Sequence, residues 1–459
     1  MDRSTLGVLR SLILYFTLAA AGLCLMNVDA VASEPGDTLS GHLKGIKPFP
    51  LDHDSGSMAV YALKSAVGPH FPRATYRYLV GVSCAAFKFV YDSLEAYEPL
   101  RDASPVDVLT TAANALGFDE AHWELGLPID AVTELVRQEI DSGRPVIAPF
   151  LKPDAYHGFC IITGYDLERK IFYLQGAFGR SGAAVTVPIP ESWDGPTVSP
   201  AGWATNPIFI VGPKTNKYLS SAEIARPMFE QGIRLMKGGT VAYGTHPGEA
   251  RYMSGPGQYE AFYGLPAFDA LSADVEQEPL VLGVGGGQTV NFGFIWRVDA
   301  QVGQLAHDRR AAAEVMTTLT NSVPADRFRE VRYGVREFER ISEDARGLRE
   351  VFWCVIPDSL TTAADVSSYI SESTSMVFSV PEDESLQNQL RKDGYGVFKT
   401  LWGWVAIDDT HEKRMLAKTK LRRIIVRERD QIGLLERILD YIDQPAKLRG
   451  SRRSRERDG

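Results

Sequence analysis

The hydrophobic residues of this chain change their period twice along its length, and that change restricts the folds open to it. From Tyr76 onward, helical spacing alternates with short apolar runs of strand type. Residues 84–94 read as a helix with Phe87, Val90, Tyr91 and Leu94 on one face. Ser104-Pro105-Val106-Asp107 supplies a cap, a proline for the first turn and an acid, opening a helix that ends at Gly117. Another spans residues 130–143, with Val132, Leu135, Val136 and Ile140 spaced for burial. Strands are predicted over 145–150, 158–163, 170–174 and 208–211, with Gly164-Tyr165-Asp166 as a turn between the second and third. Past Gly212-Pro213-Lys214 the helical period takes over, at 224–236, 259–271, 297–319 and 335–349. Strand-like runs return at 352–356, 376–380 and 402–407, and a charged amphipathic helix closes the pattern over 418–442. The expectation is an α+β protein with an α/β domain (58–212), a helical bundle (213–350) and a small mixed α/β segment (351–445). No repeat of fixed period is visible.

The first 32 residues have a different character. Arg3 and Arg10 precede an apolar stretch from Leu12 to Met26, and Ala30-Val31-Ala32 follows as a small-x-small cleavage pattern. The stretch is short for a membrane span, and Leu23 occupies the place before Cys24 where lipid attachment needs a small residue. The reading is therefore a cleaved signal, an exported protein (periplasmic or extracellular) starting at Ser33, and no integral membrane segment after cleavage. Residues 33–57, rich in Gly, Pro, Asp and Ser, form a leader arm, and residues 446–459 a basic disordered tail.

Charge and cysteine content narrow the function. A net charge of −9 disfavours nucleic acid as a partner, because a polyanion requires a concentrated positive surface. Without the signal, Cys84, Cys160 and Cys354 remain, an odd number that excludes complete pairing within one chain. Cys84 stands in Gly-Val-Ser-Cys-Ala-Ala-Phe at the expected start of a helix, where backbone N–H groups and the helix dipole would favour a thiolate. His157 heads a predicted strand and would be its general base. A packed, inert thiol is the alternative for a cysteine in so apolar a stretch.

Two further runs carry a resemblance. Gly143-Arg144-Pro145-Val146-Ile147, followed by His157-Gly158-Phe159-Cys160-Ile161-Ile162-Thr163-Gly164-Tyr165-Asp166, resembles the papain-like domains related to bacteriocin-processing (double-glycine) peptidases, over roughly residues 75–212. The resemblance implies a papain-like fold and a cysteine hydrolase or acyl transferase acting on an amide or thioester carbonyl, with a peptide or small-molecule acyl substrate. In that scheme Cys84 attacks, His157 carries the proton, and Gln175 or Asp166 orients the imidazole. The strand ending Gln175-Gly176 departs from the Asp-Pro of the group, and no Gln lies in the dozen residues before Cys84. The run from Leu79 to Phe87 is also similar to relatives with glycine at the position of Cys84. A catalytically inactive module of the same fold, binding a peptide or small ligand, is the rival expectation.

The other motifs point to no cofactor. His157 and Cys160 face opposite sides of a strand and cannot easily share a metal. The run Gly283-Val284-Gly285-Gly286-Gly287-Gln288-Thr289 lacks the Lys-Ser/Thr of a nucleotide loop and reads as a turn, as do Gly238-Gly239-Thr240 and the segment around His246. Trp402 and Trp404 share a strand face, which suits either core packing or a sugar-stacking pair.

Overall fold

The fold is that of a computed structural model. It describes residues 39–46, 57–72, 74–91, 107–151, 159–176, 184–196, 203–215, 221–243, 259–284, 287–322, 327–357, 359–360, 362–400 and 403–442. The expected signal, its expected cleavage site and the expected basic tail lie outside them. The protein is α+β.

Chain order begins β1 (Ser40–His42), α1 (Met58–Val67), α2 (Tyr76–Val82), a 3-10 turn (Ala85–Phe87), β2 (Val90–Tyr91), α3 (Val108–Ala115), β3 (His122–Glu124) and α4 (Ile129–Asp141). The strands β4 (Val146–Pro149), β5 (Phe159–Asp166), β6 (Ile171–Gly176), β7 (Val185–Pro188), β8 (Asp194–Pro196), β9 (Trp203–Thr205) and β10 (Ile208–Ile210) follow. The main sheet has the order β3-β10-β4-β5-β6-β7, all antiparallel, with β1 laid against the far end of β5. Alternation along β5 sends Phe159 and Ile161 into a large core on the side of α1. Cys160 and Ile162 point into a smaller core completed by Val132, Val136 and Ile140 of α4.

Beyond residue 220 come α5 (Ser221–Lys237), β11 (Gly239–Tyr243), β12 (Tyr259–Tyr263), α6 (Leu265–Gln277), the hairpin β13 (Val281–Val284) and β14 (Gly287–Val290), α7 (Phe292–Thr318) and α8 (Phe328–Phe352). The described residues close with β15 (Cys354–Val355), α9 (Ala363–Glu372), β16 (Val377–Val380), α10 (Glu384–Lys392), β17 (Gly396–Thr400), β18 (Gly403–Ile407) and α11 (His411–Ile442). The last four strands form a sheet in the order β15-β16-β18-β17 with its own core around Val366, Phe378 and Leu390. The large core runs without interruption from α1 and α2 through α5, α6, α7, α8 and α11. Arg309 of α7, fully buried, is paired with Glu428 of α11 at 2.5 Å and donates to the carbonyl oxygens of Ala86 (2.6 Å) and Lys88 (3.3 Å).

Several local expectations are corrected. Residues 84–94 do not form a helix: a single 3-10 turn gives way to β2, which pairs with β12 through Tyr91↔Phe262 and Val90↔Tyr263. The apolar spacing of Phe87, Val90 and Tyr91 is met by a turn and a strand buried on all sides, which periodicity alone does not distinguish from a helix. Residues 259–271 split into β12 and α6, because Tyr-Glu-Ala-Phe-Tyr has strand-type aromatics and Gly264, at φ +66°, breaks the backbone before α6. Gly164-Tyr165-Asp166 belongs to β5 and not to a turn, held there by β1 on one side and β6 on the other. Gly239-Thr240 opens a strand, and Gly283 and Gly287 lie in a hairpin.

Candidate functional site

Cys84 does not open a helix. It follows the last turn of α2 in the left-handed region, at φ 67°, and its N–H donates to Gly81 O at 3.0 Å. The helix dipole at this point is the negative, C-terminal end of α2, which disfavours a thiolate. The three residues after it make only one 3-10 turn. The thiol is buried among the large-core residues and donates weakly to Met228 O at 3.7 Å. Burial pushes its pKa up to about 12, and the more distant charge of Arg234 offsets only part of that. Cys84 is a protonated packing residue.

On the large-core face of the sheet, the helix packed against β4 and β5 is α1. Its first turn carries Ser57, Met58, Ala59 and Val60, and no cysteine. Ser57 Oγ accepts from Val60 N at 3.3 Å, and Ser57 N donates to Tyr76 Oη at 2.6 Å. The Tyr61 and Tyr76 rings stack at 4.1 Å, so the start of α1 is closed by its own neighbours.

Of the remaining expected site residues, His157 lies outside the described residues, as do His246 and Trp402. Asp166 closes the turn after β5, accepting from Arg169 N at 2.9 Å and pairing with Arg169 Nε at 3.5 Å. Gln175 sits opposite Ile161 in the ladder. Asp166 is therefore five residues farther along β5, roughly 16 Å at strand rise, and the two are not brought together. Cys160 points to the other face and donates to Ala148 O at 2.8 Å. Among the described residues Cys84, Cys160 and Cys354 form no disulfide, and no cluster of metal-ligating side chains occurs. Trp404 is half-buried, with Arg391 and Lys399 at 5.6 and 5.7 Å from its ring.

A different polar group converges on the sheet. Directly paired residues share a face, and the registers His42↔Gly164, Gly164↔Tyr173 and Ile161↔Gln175 put His42, Tyr173 and Gln175 on the side of α1. The His42 and Tyr173 rings meet edge-on at 5.3 Å. Gly164 has no side chain to obstruct them: a Cβ there would stand 2.7 Å from His42 Nδ1 and 2.5 Å from Gly41 O. Burial first, and then the charge of Lys44, hold the His42 pKa below its ordinary value, so the ring is neutral at pH 7. The Gln175 carboxamide oxygen is buried and has no hydrogen-bond partner among the described residues. This row offers neutral donors and acceptors and no nucleophile. His42 carries no local signal in the sequence, since it stands in a Gly- and Ser-rich arm and is placed by pairing with a strand far along the chain.

No protein-family profile matches this chain, and no curated protein matches it.

Proposed function

We propose that this chain is a non-catalytic α/β module of papain-like type. It holds a peptide or other small amide ligand on the sheet face bearing His42, Tyr173 and Gln175. The observation that carries this reading is the setting of Cys84: burial and the C-terminal end of a helix both disfavour the thiolate that a nucleophile needs. The absence of cysteine from the first turn of α1, the helix on the large-core face of the sheet, supports it further. The unpartnered Gln175 oxygen favours a ligand that brings an N–H, because a buried acceptor left alone costs about 1–3 kcal/mol. A peptide bond supplies that N–H and a carbonyl for the carboxamide nitrogen.

A panel of short synthetic peptides, read by thermal shift and by NMR line broadening, tests the assignment. Peptides that bind should lose about ten-fold or more in affinity with Gln175→Leu, while Cys84→Ala leaves binding unchanged. Turnover of a peptidyl thioester that disappears in Cys84→Ala would overturn the reading, as would alkylation of Cys84 in the folded chain at pH 6 ahead of Cys354.

A further inference from the structure

The outer face of α8 and α11 has a composition unlike the rest of this acidic chain. Between residues 413 and 429, α11 carries eight Lys and Arg against one acid, Glu428, and that acid is buried with Arg309. Neighbouring acids neutralise five of the eight: Lys413 pairs with Asp408, Arg414 with Asp409, Lys418 with Glu276, and Arg423 and Arg427 with Asp344. Of the other three, Lys420 is half-buried, while Arg422 and Arg429 are exposed with no ion pair among the described residues, although Arg422 acts on Glu276 from a greater distance.

Val426 lies one turn from each along the same stripe and is 56% exposed. The register between the helices is fixed by Gln431 Nε2 donating to Gly334 O at 3.2 Å. It sets exposed Arg336 and Tyr333, the latter 51% exposed, at the level of the 429–434 stretch of α11. Met415, 39% exposed, continues the stripe, so three of the large apolar side chains left in water are on these two helices. Exposed acids also border these positions, Asp430 beside Arg429 and Glu339 one turn from Arg336. Beyond α11 the sequence carries six more Lys and Arg between residues 447 and 457.

We infer that this two-helix face docks on an anionic phospholipid surface. The charge is complementary, in a protein whose net charge of −9 would otherwise be repelled. Guanidinium groups bind phosphate in bidentate fashion. Exposed Val, Met and Tyr side chains between arginines are the mixture that enters the headgroup boundary, whereas a nucleic acid would make no use of the aliphatic ones. The patch stands apart from the His42–Gln175 row and does not depend on the ligand reading.

Co-sedimentation of the full chain with vesicles of phosphatidylcholine alone, or of phosphatidylcholine mixed with phosphatidylglycerol, tests it. Binding should require phosphatidylglycerol and weaken steeply with added salt. The triple variant Arg336→Glu, Arg422→Glu, Arg429→Glu should bind at least ten-fold more weakly with an unchanged melting temperature, and Val426→Asp should weaken binding a few-fold. Equal binding to both vesicle types would overturn the inference. So would retention of binding by the triple variant, its loss only on removal of residues 447–459, or equally tight binding of an RNA oligomer that Val426→Asp leaves unaltered. If the triple variant misfolds, Val426→Asp alone decides between lipid and polyanion.

Discussion

Cys84 and Gln175 both place polar atoms in buried space, and the protein treats them in opposite ways. Around Cys84 everything is satisfied: the thiol has Met228 O, and the carbonyl groups of the following turn are capped by Arg309. Around Gln175 a strong acceptor is left without a partner among the described residues, on a face that also holds a histidine and a tyrosine. A fully satisfied buried site is built for packing. An orphaned one imposes a cost on the fold and is therefore the place to look for a ligand.

The largest test of this contrast falls on the turn. Arg309→Ala leaves Glu428 as a buried, uncompensated charge and should cost about 3–5 kcal/mol in urea unfolding. Arg137→Ala, which breaks only exposed pairs with Glu134 and Asp141, should leave the unfolding curve almost unchanged. Comparable losses in the two variants would mean that the turn is not clamped as described.

The next effect is alkaline. The folded thiol of Cys84 keeps its proton to about pH 12, while its ordinary pKa is 9, so between these values the unfolded chain binds fewer protons. The stabilisation is complete below pH 9 and is lost as pH rises from there, at up to about 1.4 kcal/mol per pH unit. Melting curves of Cys84→Ala should accordingly fall less steeply than those of the unaltered chain above pH 9, and parallel curves would contradict a buried thiol.

A smaller difference separates two replacements of Cys84. At φ 67° any residue with a Cβ is strained by roughly 1–2 kcal/mol, and glycine is not. Cys84→Gly should therefore be more stable than Cys84→Ala by about 1 kcal/mol, despite removing one more carbon from the core. Gln175→Leu has the smallest effect, raising stability by about 1 kcal/mol or less as the orphaned acceptor disappears. A loss of stability there would show that the carboxamide serves the fold and not a ligand.

The elements most legible in the sequence are those whose burial follows a local period. Val132, Val136 and Ile140 mark the inner face of α4, and the long helices α7, α8 and α11 follow from helical spacing that their tertiary packing then uses. The strands β4, β5, β6, β16 and β18 are short apolar runs between turn residues and were readable for the same reason. What could not be read depends on distant pairing. Nothing near Val90 and Tyr91 announces Phe262 and Tyr263 as partners, so the run reads as a helix. The site suffers similarly: Gln175 stands out through its strand, whereas His42 acquires meaning only when β1 is laid against β5. Cys84 has the right neighbours in sequence for a reactive thiol, but the end of helix α2 that it meets is the wrong one.

The clamp on the Cys84 turn also sets a timetable for synthesis. Arg309 reaches a carbonyl 223 residues before it and takes its countercharge from a residue 119 after it. At ordinary elongation rates of about 5–20 residues per second, the ribosome needs roughly 20–70 s to pass from Ala86 to Glu428. For most of that interval Arg309 has not been made, and for the last 119 residues it has no acid with which to enter the interior, so the turn stays uncapped and the large core stays open. A nascent chain stopped anywhere before Glu428 keeps its early helices exposed, and its last long helix is what permits its first third to close.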